Sequence, residues 1–244
     1  MEQVNNPKEL RYALLQATNY NVENAAKCYD FVEGSDKRTD TPATRPDGIY
    51  FVLNTPEGKV AKEYRTELTD QEKAQCVGIG VQRGGVSFCV ALNEPDEVVL
   101  LPESKRAKKR ACYLDRECDA LHDFDSEGNT RLLIQDNASL GKIVGGDWHI
   151  PALGVLVEMC YLRNEINQAL SIVGGQQLKD TWYWSSSEYS QGGAWGVNFS
   201  SGFVTSYGKY IGNAVRAVAA LGKEVKLGWL IAYHDCCANK KSSS

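Results

Sequence analysis

The apolar positions of this chain change their period several times, and each change marks a predicted element. Leu10, Ala13, Leu14 and Ala17 recur at helical spacing behind Asn6 as N-cap, Pro7 at the first helical position and Glu9 placed to close a capping box. Asn19-Tyr20-Asn21 interrupts this stripe, and Asn21 can cap a second one through Val22, Ala25, Ala26, Tyr29 and Phe31. Residues 1–35 therefore read as a helical hairpin. Residues 36–46 are polar, carry Pro42 and Pro46 and show no period, which reads as a linker.

From residue 47 the pattern turns to strands. Ile49-Tyr-Phe-Val-Leu53 is turned back by Thr55-Pro-Glu-Gly58 toward Lys59–Tyr64. Cys76-Val-Gly-Ile-Gly-Val81 and Val86–Leu92 flank the Gly84-Gly85 turn, and Val98–Leu101 reads as a further short strand. Helical spacing then returns at Cys112–Leu121, at 130–144, and most clearly from Ala152 to Ile172, where Gly174-Gly175 stops it. Between the first two of these lies a polar turn, Asp123–Thr130, with Asn129 or Thr130 expected as the next cap. Residues 182–221 revert to short strands between Gly and Ser turns, among them Val197–Phe199, Phe203–Thr205 and Val215–Ala219. Beyond them, Leu227-Gly-Trp-Leu-Ile-Ala232 reads as a last strand or a docking segment, and 222–244 as a partly disordered C-terminal extension.

Composition narrows the classes. The chain has 244 residues, 43% hydrophobic and 24% charged, with a net charge of −4, so its overall field does not favour nucleic acid or an anionic membrane. The basic run Lys105–Arg110 is a local exception and reads as a solvated loop or helix face. No window of about 18 apolar residues exists, and the N-terminus lacks a secretory pattern. No membrane insertion is expected, and the location expected is a virion or tail, or the cytoplasm before assembly. The eight Cys form no CxxC pair, so no zinc site is legible. Asp123, Asp125 and Glu127 suggest a calcium loop, but Ile134 stands at the twelfth position where a bidentate Glu is needed. There is no GxSxG and no phosphate loop between a strand and a helix, and His149 reads as a hydrogen-bonded core imidazole. The expectation is a protein without catalytic residues, metal or cofactor.

Two resemblances add to this reading. Residues 13–32 resemble the last two helices of a ubiquitin-associated-type module, a likeness that helix-hairpin physics also produces, so a docking appendage is expected there. Residues 47–221 resemble C-type-lectin-fold domains of bacterial and phage kind, especially the variable proteins of diversity-generating retroelements and related fimbrial domains of Bacteroides-type bacteria. The motifs are Asp123–Thr130, Trp148-His-Ile-Pro-Ala-Leu-Gly154, Glu165–Leu170, Trp182-Tyr-Trp-Ser-Ser-Ser-Glu188, Ala194-Trp-Gly-Val-Asn-Phe-Ser200 and Val215-Arg-Ala-Val218. The resemblance implies an α+β domain of C-type-lectin-like fold over 47–221, whose C-terminal strands and loops form the binding face.

In such variable proteins, adenine-directed mutagenesis of Asn-type codons yields Gly, Ser, Thr, Tyr, Phe, Ile, Ala and Asp, among others. The resemblance therefore implies outward, variable positions at Gly192, Gly193, Gly196, Ser201, Phe203, Thr205, Ser206, Tyr207, Gly208, Ile211, Gly212, Asn213 and Ala214, with Tyr210 adding contact area. Interleaved framework positions would be Trp184, Ser185, Ser186, Glu188, Trp195, Val197, Phe199, Val204, Val215 and Arg216. Tyr-, Ser- and Gly-rich surfaces suit recognition, because rigid aromatic area and adaptable hydrogen bonding are combined. The function expected is a display protein binding a protein or glycan receptor on a target cell. Residues 1–46 would attach it to a virion or tail fibre, and homo-oligomers would add avidity. Two other functions share the fold: a fixed carbohydrate-binding or structural domain of a fimbria or virion, and a formylglycine-generating-type oxidase. The oxidase needs reactive Cys in its pocket, and no Cys lies between Cys160 and Cys236.

Overall fold

The computed structural model describes residues 46–56, 58–110, 113–221 and 226–227. The predicted helical hairpin, most of the linker, Cys112 and the rest of the C-terminal extension lie outside these residues. The fold is mixed α+β. Strands β1 (Gly48–Thr55), β2 (Gly58–Glu63), β3 (Cys76–Arg83), β4 (Val86–Ala91), β8 (Val218–Ala219) and β9 (Lys226–Leu227) form one sheet in the order β8-β4-β3-β1-β2-β9. Strands β5 (Trp182–Glu188), β6 (Gly193–Asn198) and β7 (Val204–Gly208) form a second, antiparallel sheet. Helices α1 (Asp70–Gln75), α2 (Glu117–Leu121), α3 (Ser126–Asp136), α4 (Leu153–Tyr161) and α5 (Arg163–Ile172) complete the described elements, with a short 3-10 turn at Ala138–Lys142.

Local chemistry explains the edges of these elements. Thr69 caps α1 in a full capping box with Glu72. Gly84 and Gly85 take φ of 53° and 84°, which lets a two-residue turn join β3 to β4. Alternation along β1 sends Ile49, Phe51 and Leu53 toward the helices, where they join Ile79, Val81, Phe88 and Val90 in the main core. The same core takes Leu156, Met159, Ile166 and Leu170 from the helices, and Tyr183, Trp195 and Val197 from the second sheet.

Several expected boundaries move. The helix expected over Ala152–Ile172 is two helices broken at Leu162, whose backbone leaves the helical region at φ −94° and ψ 16°. The cause is packing: α4 lies against β5 and β6 and α5 against β1 and β3, so one straight rod would not serve both sheets. The helix expected over 130–144 begins four residues earlier, at Ser126, because Asp125 is the cap and accepts from the Gly128 N–H at 2.8 Å. Thr130 instead sits inside α3 and ties down Ile150, accepting from its N–H at 2.9 Å and donating to its carbonyl at 3.2 Å. That helix ends at Asp136, where Asn137 turns inward and donates to the Leu100 carbonyl at 3.1 Å. Among the described residues of Cys112–Leu121 only 117–121 are helical. Val98–Leu101 contributes a single bridge, Val98 to Asn213, and of Val215–Ala219 only the last two residues pair as a strand.

Candidate functional site

The second sheet and its loops form the candidate site, and three sets of buried polar contacts lie around them. The first lies inside β5. The pairing of β5 with β6 shifts between Trp184 and Glu188, so Ser185, Ser186 and Ser187 bulge out of the ladder. Their small hydroxyls then bond across elements. Ser185 donates to the Trp195 carbonyl at 2.8 Å, while Ser187 donates to Asp123 at 2.6 Å and accepts from the Leu153 N–H at 2.8 Å. Asp123 also accepts from Asn129 at 2.6 Å and from the Asp125 N–H at 3.1 Å. The loop that resembled a calcium ligand set thus spends this carboxylate on joining α3 to β5. The indoles are anchored likewise: Trp184 donates to the Val98 carbonyl at 3.0 Å and Trp195 to the Leu114 carbonyl at 2.7 Å.

The second set centres on Arg216, which is fully buried together with the Glu94 carboxylate. Its guanidinium reaches Glu94 at 3.0 Å and donates to the carbonyls of Ala91, Leu92, Gln176 and Gln177 at 2.8–3.3 Å. Glu94 also pairs with Lys179 at 2.9 Å and accepts from the Tyr183 hydroxyl at 2.8 Å. Burial pushes the Tyr183 hydroxyl well above the usual tyrosine range, with the nearby Glu94 charge adding to it. A buried ion pair stands only if its remaining donors and acceptors are satisfied, and this one ties the segment after β4, the segment after α5 and β5 to one point.

The third set is Lys209, Glu188, Arg110 and Asp136. The buried Lys209 ammonium pairs with Glu188 and donates to the Gln191 carbonyl at 3.0 Å. Arg110 bridges Glu188 at 3.1 Å and Asp136 at 2.8 Å, and donates to the Leu132 carbonyl at 2.7 Å. Burial opposes the Arg110 charge, but the two carboxylates outweigh it and raise its pKa. The expected solvated basic run is therefore only partly solvated. Its last residue turns inward as a strut, while Lys105, Arg106, Lys108 and Lys109 stay exposed. No sequence motif distinguishes Arg110 from its basic neighbours, and its role was not foreseen.

On this frame the expected framework positions are all buried except Val204, which is half-buried. The expected outward positions divide. Gly192, Ser201, Phe203 and Tyr210 are exposed, Phe203 at 61% and Tyr210 at 57%. Thr205, Ser206, Tyr207, Gly208, Ile211 and Gly212 are half-buried. Gly193, Gly196, Asn213 and Ala214 are buried. A Cβ at Gly196 would lie 2.9 Å from the Tyr183 carbonyl oxygen, whereas one at Gly192 would meet open space. Asn213 pairs through its backbone with Val98 in both directions, and Ala214 lies in the main core. Trp182, Tyr207 and Phe203 make one aromatic group, in which Phe203 is exposed, Trp182 and Tyr207 are half-buried, and Tyr207 also packs against the buried cluster around Trp184. The rings of Trp182 and Tyr207 are 4.9 Å apart and those of Trp182 and Phe203 6.1 Å, both edge to face.

Among the described residues, no helix is long and apolar enough to cross a membrane, and no group of three or more His, Cys, Asp or Glu side chains is placed to hold a metal ion. No protein-family model matches the chain, and no curated protein matches it. Among solved structures it is similar to a fimbrial protein from Bacteroides ovatus ATCC 8483, with a TM-score of 0.53 and 13% sequence identity. The match covers 72% of this chain and 49% of that one, so the chain spans about half the length of the fimbrial protein it matches. At this identity the likeness establishes a shared fold.

Proposed function

We propose that residues 47–221 form a C-type-lectin-fold domain of a surface fibre or virion, fixed in sequence, that is structural or binds carbohydrate through the outer side of its second sheet. The observation that carries this reading is the fold shared with a fimbrial protein over most of the chain. The aromatic group formed by exposed Phe203 with half-buried Trp182 and Tyr207, on the strand face that also carries Asn198 and Thr205, supplies what a sugar ring uses: apolar faces beside hydroxyl and amide groups. The test is binding of the full chain to arrayed bacterial and host glycans, alongside a Trp182→Ala/Phe203→Ala variant. Glycan binding lost at least tenfold in the variant, with an unchanged melting temperature, supports a sugar site. Equal binding by both proteins rejects this face.

A second reading, a variable receptor-binding display protein, draws on one observation of its own. Gly192, Ser201, Phe203 and Tyr210 are exposed, and Gly192 and Tyr210 adjoin Gln191 and Lys209, which the buried Glu188 holds, so these positions can change at little cost to the fold. A reverse-transcriptase gene with an adenine-rich template repeat beside this gene supports that reading. Near-identical genes whose differences avoid these positions reject it.

A further inference from the structure

Backbone hydrogen bonding leaves the outer edge of β7 open. At the two ends of the β6–β7 ladder, Asn198 donates to the Phe203 carbonyl at 2.9 Å and Lys209 to the Gly192 carbonyl at 2.9 Å. Along an antiparallel pair such bonds fall on every second residue, so Thr205 and Tyr207 also turn their N–H and C=O groups toward β6. Val204, Ser206 and Gly208 turn theirs the other way. Among the described residues the Gly208 carbonyl meets one donor there, the Ile211 N–H at 3.0 Å, and the N–H and C=O groups of Val204 and Ser206 meet none. Other edges are closed. Beyond β5, Trp184 donates to Ala214 at 2.9 Å and Ala214 to Trp182 at 3.0 Å, and beyond β8, His149 and Val218 exchange bonds at 2.7 and 2.8 Å.

Nothing along β7 guards this edge. Strand edges are kept from pairing by Lys, by Pro or by a bulge. Val204-Thr-Ser-Tyr-Gly208 carries no charge and no Pro, and its register with β6 runs without a shift. Val204 and Ser206 lie on one face of the strand, opposite Val197 and Trp195, and Val204 packs against the main core. Gly208 shares that face by alternation and has no side chain. The ring of Tyr210 takes its place: a Cβ at Gly208 would lie 2.4 Å from Tyr210 Cε1. Tyr210 is itself 57% exposed.

We infer that β7 is the contact between two copies of this chain, which pair edge to edge and antiparallel across a two-fold axis at Ser206. Full overlap of the two strands sets this register: Ser206 stands opposite Ser206 of the second copy, and Val204 opposite Gly208. Two-fold symmetry requires a self-complementary patch, and this edge is one. The outward N–H and C=O groups of each copy meet those of the other, no like charges face each other, and the small Ser206 meets its own image. Val204 of one copy comes against the Tyr210 ring that roofs Gly208 of the other, an aromatic and β-branched pair of the kind that stabilises neighbouring strands. The two three-stranded sheets become one continuous sheet. An axis perpendicular to it leaves Trp182, Phe203 and Tyr207 of both copies on the same side, so both faces can engage one surface at once. The pairing follows from the backbone pattern and does not depend on what that face binds.

Three substitutions of Ser206 in the full chain test the contact. Its N–H points away from β6, so Ser206→Pro removes no ladder bond of the single copy. Ser206→Lys sets two like charges face to face at the axis. By analytical ultracentrifugation the parent is expected to be a dimer. Both variants are expected to be monomers, or to dimerise at least tenfold more weakly, with unchanged far-ultraviolet dichroism. Ser206→Cys places two thiols at a hydrogen-bonded antiparallel pair, where Cα atoms lie about 5.5 Å apart, within the reach of a disulfide. Oxidation is expected to give a covalent dimer, with the link at position 206 mapped by mass spectrometry and so told apart from links through native cysteines. A monomeric parent overturns the inference, whether the edge then serves a different protein or stays unpaired. So does a parent dimer that Ser206→Lys leaves equally tight, or one in which Ser206→Cys forms no link at 206.

Discussion

Arg216 spends all its donors inside the protein: one acid and four backbone carbonyls surround it. Removing one partner of such a pair leaves an uncompensated buried charge and orphaned carbonyls. Arg216→Ala is therefore expected to cost about 3–5 kcal/mol, or roughly 10 °C in melting temperature, measurable by calorimetry. Arg216→Lys should recover only part of the loss, because one ammonium does not reproduce the planar fork. Cys89 makes a separate prediction at this scale. Burial pushes its thiol up to about 12, with Cys76 nearby adding to the rise and Lys59 opposing it. In the unfolded chain the thiol ionises near its ordinary value of about 8.5. Above that pH the unfolded state binds fewer protons than the folded one, so stability is full below about 8.5 and falls as pH rises toward 12. Urea midpoints taken at pH 7.5 and pH 10 should show a steeper fall for the parent than for Cys89→Ala.

At the scale of elements, close packing separates glycines that look alike in sequence. Gly78 lies under Cys89 Sγ and the Val90 carbonyl, so Gly78→Ala overpacks the sheet and is expected to destabilise by about 1–3 kcal/mol. Gly192 opens onto space, and Gly192→Ala should stay within about 0.5 kcal/mol of the parent in chemical denaturation. Periodicity made the large sheet legible. The β1, β3 and β4 runs and the Gly84-Gly85 turn stand where the apolar alternation places them. It did not reveal the break at Leu162, because the helical spacing runs unbroken through it and only the separate sheets beneath α4 and α5 require two rods. Nor did it reveal the Asp125 cap, since Asp125, Asn129 and Thr130 are all competent cap residues, and the bonds of Thr130 to Ile150 and of Asn129 to Asp123 choose among them. The Trp residues illustrate the site. The resemblance implied that Trp184 and Trp195 are framework, and both are buried and hydrogen-bonded, whereas the half-buried Trp182 packs edge to face against Tyr207 and the exposed Phe203. The ion pairs behind the loops join residues up to 122 positions apart, a separation that no local pattern encodes.

At the scale of the molecule, one core joins the two sheets: Phe51, Ile79 and Val90 share it with Tyr183, Trp195 and Val197 through the two helices between them. The sheets should therefore unfold together. Far-ultraviolet dichroism, which follows all strands and helices, and tryptophan fluorescence, which follows chiefly the smaller sheet, are expected to give coincident transitions. Separate midpoints would mean that the smaller sheet opens on its own.

The pairs Glu94–Arg216 and Glu188–Lys209 also bear on how the proposed binding face would respond to its surroundings. Dissolved ions weaken attractions between charges that water reaches, over about 8 Å at physiological ionic strength, but they have little access to charges sealed within the protein. The loops around Gly192 and Tyr210, which the Lys209–Glu188 pair holds through Gln191, should thus keep one shape from dilute buffer to brine. A change of affinity with added salt would then belong to the ligand and to the exposed rim, and the scaffold would read as a constant.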